Sequence, residues 1–154
     1  MTLINQKNNS RSSIGKAYSN FYYRMKFSTK AEYGLKAMTN LAQCYPDQKT
    51  IGDIAQQEDI SQKYLERLMV KLRDGNVVIS SKGKMGGYVL SKNPKDIPVG
   101  LIIEILDGDI APMRCVGKFC ASRDKCPSSV VWDAIGQQVK KTVYKIKLSD
   151  LISK

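Results

Sequence analysis

The sequence predicts a mainly α-helical fold with one small β-hairpin and a long additional helix towards its C-terminal side. Three patterns lead to this reading. Apolar residues recur at three- and four-residue spacing in several stretches between Ser28 and Gly75. The pattern then becomes extended on both sides of the glycine-rich stretch Gly83 to Gly87. Finally, Val131, Ile135, Val139 and Val143 fall on every fourth residue between about Ser129 and Lys145.

The 154 residues are 42% hydrophobic and 25% charged, the balance of a globular chain rather than a disordered one. The longest apolar stretch, Ile97 to Leu106, is broken by Gly100 and Glu104. It is well short of the roughly 20 residues that cross a bilayer, so no membrane span and no membrane partner are expected.

Residues 1–24 hold no acidic residue and no apolar stripe. They read as a disordered basic extension, or as the product of an upstream start with Met25 as the alternative one. A transit segment is the further alternative that the composition permits, and it would place the protein in the plastid stroma instead of the cytoplasm.

Thr29 and Glu32 have capping-box spacing, so the first helix should start there. Leu35, Met38, Leu41, Ala42 and Tyr45 form its inner stripe, Cys44 reads as a small core residue on the same side, and Pro46 ends it. A second helix should begin at Thr50, with Asp53 three residues on and Ile51, Ile54 and Ala55 facing inward. A third should begin at Ser61, bury Leu65, Leu68, Met69 and Leu72, and stop at Gly75. About five residues around Gln57–Asp59, with Ile60 as an apolar plug, separate the second helix from the third. Two helices joined so tightly make a helix-turn-helix.

Val77, Val78 and Ile79, then Tyr88, Val89 and Leu90, read as the two strands of a hairpin whose tip carries Lys82 and Lys84. A basic hairpin placed directly after the third helix is a wing. The glycines of this loop do not make a nucleotide-binding P-loop, because no Gly-Lys-Ser/Thr leads into a helix. Beyond Pro94 and Pro98 a short helix is expected over Leu101–Leu106, then a loop holding Cys115, Cys120 and Cys126, then the long helix. Its valine and isoleucine stripe is too long for a small core to cover, which points to a homodimer. The chain thus divides into a basic extension (1–24), a winged helix-turn-helix (25–94), and a cysteine loop with a dimerisation helix (95–154).

The sequence contains no histidine, which removes most hydrolase triads and most catalytic zinc sites. No acidic pair stands in a catalytic setting, so an enzyme is not expected. The net charge is +11, carried as +4, +4 and +3 by the three regions, and it favours a polyanionic partner. In a helix-turn-helix the start of the second helix enters the major groove of double-stranded DNA. The polar residues at that place are Ser61, Gln62, Lys63, Tyr64, Glu66 and Arg67. Arg67 suits guanine, Gln62 adenine and Glu66 a cytosine amino group, while Lys82 and Lys84 would reach phosphates or the minor groove.

Cys115, Cys120 and Cys126 are separated by four and five residues. Three thiols cannot all pair, and the chain reads as cytoplasmic, so soft-metal ligation or thiol redox chemistry is the expectation. Lys118, Arg123 and Lys125 would lower the thiol pKa values and offset the negative charge of a metal site. Three thiolates leave a tetrahedral or four-ligand site one donor short. An oxygen, a partner-chain residue or an exogenous molecule must supply the fourth.

Three stretches, Met25–Leu35, Ile60–Glu66 and Gly83–Leu90, taken with the three cysteines, resemble the IscR/NsrR/CymR-type family of winged helix-turn-helix transcriptional regulators. The resemblance runs from Met25 to about the last residue. It implies a homodimer with a long swapped helix on a near-palindromic operator, with Lys63, Glu66 and Lys82 at DNA-contacting positions. It also implies an iron–sulfur cluster, 2Fe–2S or 4Fe–4S, on Cys115, Cys120 and Cys126. Where some members carry a histidine ligand this chain has Ser129; others use an acidic residue of the first helix, and Glu32 stands there. Glu32 is the preferred fourth ligand, because a carboxylate is already ionised at neutral pH. The first cysteine gap is one residue shorter than the family's common spacing. Two alternatives stay open: a cluster-free regulator of the same fold controlled by a partner protein, and an iron–sulfur carrier.

Overall fold

The computed structural model describes residues 27–81, 83, 86–113 and 115–153. Residues 1–24 and the wing-tip Lys82 and Lys84 lie outside the described residues.

Helix α1 spans Thr29–Cys44. Its N-cap is Ser28, not Thr29: the Ser28 hydroxyl accepts from the Lys30 N–H at 3.1 Å, and Thr29 is already in the first turn. The helix buries Ala37, Met38 and Leu41, while Cys44 ends half-buried, hydrogen-bonded to the Leu41 carbonyl rather than packed in the core. Helix α2 (Ile51–Glu58) starts as its residues dictate, with Thr50 Oγ1 accepting from the Asp53 N–H at 3.1 Å. Buried Asn40 donates to Gln57 and Glu58 at 2.9 and 3.0 Å, which fastens α2 to α1.

The turn into helix α3 (Gln62–Asp74) is shorter than the sequence implied, because Gln57 and Glu58 remain helical. Asp59 reverses the chain in the left-handed region (φ 52°, ψ 48°), a conformation that Asp tolerates better than most residues. Ile60 is buried beside it, as a plug should be. Leu65, Leu68, Met69 and Leu72 all face inward. At about 1.5–3 kcal/mol for each fully buried apolar side chain, this stripe decides which face of α3 remains outside.

Strands β1 (Val78–Ser81) and β2 (Gly87–Leu90) pair antiparallel, Val78 opposite Leu90 and Ser81 opposite Gly87. A backbone bridge from Lys49 to Tyr88 anchors the hairpin to the segment before α2.

Helix α4 (Val99–Asp107) is longer than the stretch expected from sequence, because Val99 and Gly100, poor helix formers by propensity, are buried against other elements. Helix α5 covers Ser129–Lys145, as the four-residue repeat predicted. After α5 the chain returns and buries Leu148 in the same core as Met38, Leu65 and Leu72. That core also holds Ile97, Ile102 and Leu106, so no break in packing falls at residue 94. Of α5 only Gly136 is buried, and Val130, Val131 and Ile135 are 73%, 53% and 38% exposed. Among the described residues no helix is long and apolar enough to cross a membrane.

Candidate DNA-reading surface and cysteine loop

Because α3 buries its apolar stripe, Ser61, Gln62, Lys63, Glu66 and Arg67 all lie exposed along its N-terminal half. Ser61 takes the N-cap position, exposed, and its hydroxyl makes no capping bond. Gln62 donates to Glu66 at 3.1 Å, one turn along the helix. Tyr64 departs from the expectation. It is half-buried, packed edge-to-face on Tyr33 with ring centroids 5.9 Å apart, and it props α3 against α1. An aromatic ring next to a buried Leu falls partly on the inner face, where it packs on Tyr33. The wing expectation for Lys82 and Lys84 falls outside the described residues.

The cysteine loop joins α4 to α5. Cys115, Cys120 and Cys126 are half-buried free thiols. Among the described residues no three Cys, Asp or Glu side chains converge on one point, so the loop as folded is not a closed metal cage. The donor chemistry fits a soft metal or a cluster, but binding would have to draw the loop together. Glu32 is exposed in the first turn of α1 and belongs to no such group. Ser129 Oγ donates to the Cys126 carbonyl at 2.8 Å, which fixes the entry into α5. The Cys126 thiol is held below its ordinary range, chiefly by its hydrogen bond with the Ser128 hydroxyl (3.3 Å), with burial opposing.

The cations assigned to the thiols are used differently. Arg123 pairs with Asp133 of α5, and Lys118 Nζ lies 3.6 Å from Asp109. Asp133 lies in α5, whereas Asp109 lies in the loop itself, just past the end of α4. The Arg123–Asp133 pair ties the loop to α5.

One further cluster was not anticipated, although Glu104, a lone acid inside the apolar α4, was its signal in the sequence. The Tyr144 hydroxyl donates to Glu104 Oε2, and Lys140 Nζ sits 2.8 Å from Oε1 and 5.6 Å from the Tyr144 ring centroid. The hydrogen bond to Glu104, then burial and the carboxylate's charge, push the Tyr144 phenol up to about 12. Beside α5 runs a groove of about 1000 Å³ bordered by Phe27, Ile103, Met113, Trp132, Ile135 and Val139.

Three helices with a tight left-handed turn, an outward polar face on α3 and a following hairpin define a winged helix-turn-helix DNA-binding transcription regulator. Residues 27–154 match the family model Rrf2, described as an iron-dependent transcriptional regulator. The chain belongs to the Rrf2 family. It is 37% identical over 131 residues to the HTH-type transcriptional regulator CymR of Bacillus subtilis, covering 84% of this chain and 91% of that one. It is 30% identical to the HTH-type transcriptional regulator IscR of Pectobacterium atrosepticum, covering 84% and 80%. Among solved structures it resembles CymR, the global cysteine regulator of B. subtilis (TM-score 0.69, 36% identity, 83% and 96% covered). It also resembles T. potens IscR (TM-score 0.66, 35% identity, 83% and 86% covered). These relatives are transcriptional regulators, not enzymes, and they lend no support to a plastid location.

Proposed function

We propose that the protein is a homodimeric, sequence-specific transcription regulator whose operator binding responds to the state of Cys115, Cys120 and Cys126. The exposed polar face at the start of α3 carries the DNA-binding part. There Lys63, Glu66 and Arg67 read base edges, with Lys82 and Lys84 on phosphates or in the minor groove of a near-palindromic operator. The reading head comprises residues 25–94 and the sensing and assembly segment residues 95–154, acting in the cytoplasm. The exposed stripe of α5 and the groove beside it support the dimer, since water is a poor neighbour for Val131 and Ile135.

For the cysteines we infer an iron–sulfur cluster, 2Fe–2S or 4Fe–4S. Three thiols free of disulfides on one loop support it, as does a family described as iron-dependent. Cys115, Cys120 and Cys126 would hold it, with the partner's Glu32 as preferred fourth ligand and Ser129 as the alternative. Bound there, it would supply a group sensitive to oxygen and redox state. A cluster-free regulator is the second reading, favoured by the unconverged thiols and by the likeness to CymR.

Anaerobic purification with iron and acid-labile sulfide analysis separates the two. Wild type should be brown, with broad absorption near 400 nm, and Cys120→Ala colourless. Glu32→Ala should retain some cluster and lose it faster in air. Loss in Ser129→Ala with none in Glu32→Ala reverses the ligand assignment, and iron-free wild type removes the cluster reading.

A further inference from the structure

Helix α4 touches three different elements with three consecutive side chains. Successive residues of an α-helix point about 100° apart, so neighbours in sequence face different directions. Glu104 faces α5, where Lys140 and Tyr144 hold its two oxygens. Ile105 faces the end of the recognition helix: a Cβ on Gly75, the C-cap of α3, would lie 2.5 Å from Ile105 Cδ1. Leu106 faces α1, where a Cβ on Gly34 would lie 2.0 Å from Leu106 Cδ1. The next residue, Asp107, accepts from the Ser28 N–H at 2.9 Å at the N-cap of α1.

The same α5 stripe that meets α4 also meets the cysteine loop. Asp133, Gly136, Lys140 and Tyr144 follow one another at helical spacing along one side. Asp133 pairs with Arg123, three residues from Cys120. A Cβ on Gly136 would lie 2.8 Å from Val116, the neighbour of Cys115. One turn further on, Lys140 and Tyr144 take Glu104, and the Tyr144 ring packs where Gly100 leaves no side chain. These junctions from the cysteine loop to the recognition helix are close contacts at glycines, two ion pairs and the Tyr144–Glu104 hydrogen bond. Interfaces packed so tightly shift as units rather than absorb a displacement.

We propose that Glu104 and Tyr144 are positioning residues that transmit the state of the cysteine loop to the recognition helix, through the seating of Ile105 on Gly75. This rests on the reading that the loop is the sensing element. Closing or modifying the loop would move α5 along its length, the Glu104 clasp would carry α4 with it, and Ile105 would tilt the end of α3. Neither residue contacts DNA in this scheme.

The test uses full-length protein in a Cys44→Ser background, so that N-ethylmaleimide caps only the loop thiols, with capping verified by mass spectrometry. Operator affinity is measured before and after capping, and the ratio is compared between the parent, Tyr144→Phe and Glu104→Gln. Hydrogen–deuterium exchange over residues 68–78 provides a second readout that a merely structural role would not move. The parent should change operator affinity by about tenfold, within the usual range of coupling between sites. Both variants should hold the ratio below about threefold and lose the exchange response at the end of α3. Should Tyr144→Phe lose helicity by circular dichroism, Glu104→Gln decides alone. Variants that keep the parent's full ratio overturn the coupling role and leave the sensing reading intact. A parent whose affinity ignores capping overturns the sensing reading and the coupling with it.

Discussion

Gly75→Ala probes the seat of α4 on the recognition helix by adding a single methyl. The added Cβ would meet Ile105 Cδ1 at 2.5 Å, Cγ1 at 2.8 Å and Cγ2 at 3.1 Å. Gly75 sits at φ −80°, ψ 5°, a conformation open to alanine, so the substitution introduces no backbone strain. Removing a glycine from the unfolded chain would by itself stabilise by about 0.4–1 kcal/mol. Against this stands overpacking, typically about 1–3 kcal/mol. Rotating χ2 of Ile105 clears Cδ1 alone; clearing Cγ1 and Cγ2 requires either a change of χ1, which a helix strongly restricts for a β-branched side chain, or a shift of α4 itself. Sterics should win, with a net loss of about 1–2 kcal/mol. At roughly 2–4 °C per kcal/mol for a chain of this size, Tm should fall by about 2–8 °C in a melt followed by far-ultraviolet circular dichroism. Trimming Ile105 to Ala removes all three atoms. In that background Gly75→Ala should be neutral or stabilising, so the pair is strongly non-additive. A rise in Tm for Gly75→Ala with Ile105 intact would refute the close seating, and with it the contact that carries α4 to α3.

Three further outcomes are expected. Arg67→Ala should weaken operator binding by about 1–3 kcal/mol, whereas Lys82→Ala should weaken all sequences alike and lower the salt slope by about one. A gel-shift series in which both bind like wild type contradicts the placement of the reading face and wing. Wild type should sediment at micromolar concentration near twice its 17.2 kDa mass, and Ile135→Asp should give monomer or aggregate; a stable wild-type monomer ends the dimer reading. The phenol of Tyr144 is raised from about 10 in the unfolded chain to about 12 in the fold, so deprotonation opposes folding. Its stabilising contribution is complete below about pH 10 and is lost as pH climbs towards 12. Urea midpoints of wild type should therefore fall more steeply than those of Tyr144→Phe across that window, and parallel curves would mean that the clasp adds no stability.

The elements themselves were legible in the residues. Thr50 as a cap, Gly75 as a stop, the buried face of α3 and the span Ser129–Lys145 all follow from local rules. A cap bonds amides two or three residues away, and an apolar stripe depends only on helical period. Tyr64, Glu104 and Arg123 were not legible in the same way. Tyr64 turned inward because Tyr33 of another helix was there to receive it, Glu104 found Tyr144 40 residues away, and Arg123 chose Asp133 over the thiols beside it. Even the cap of α1 moved by one residue, since Ser28 is also held by Asp107 at the far end of α4. Sequence alone determines which face of each helix seeks the interior, because that preference is carried within a few turns of one chain segment. Which side chains then meet across that interior is a matter of how whole helices are set against each other, and only the tertiary structure decides it.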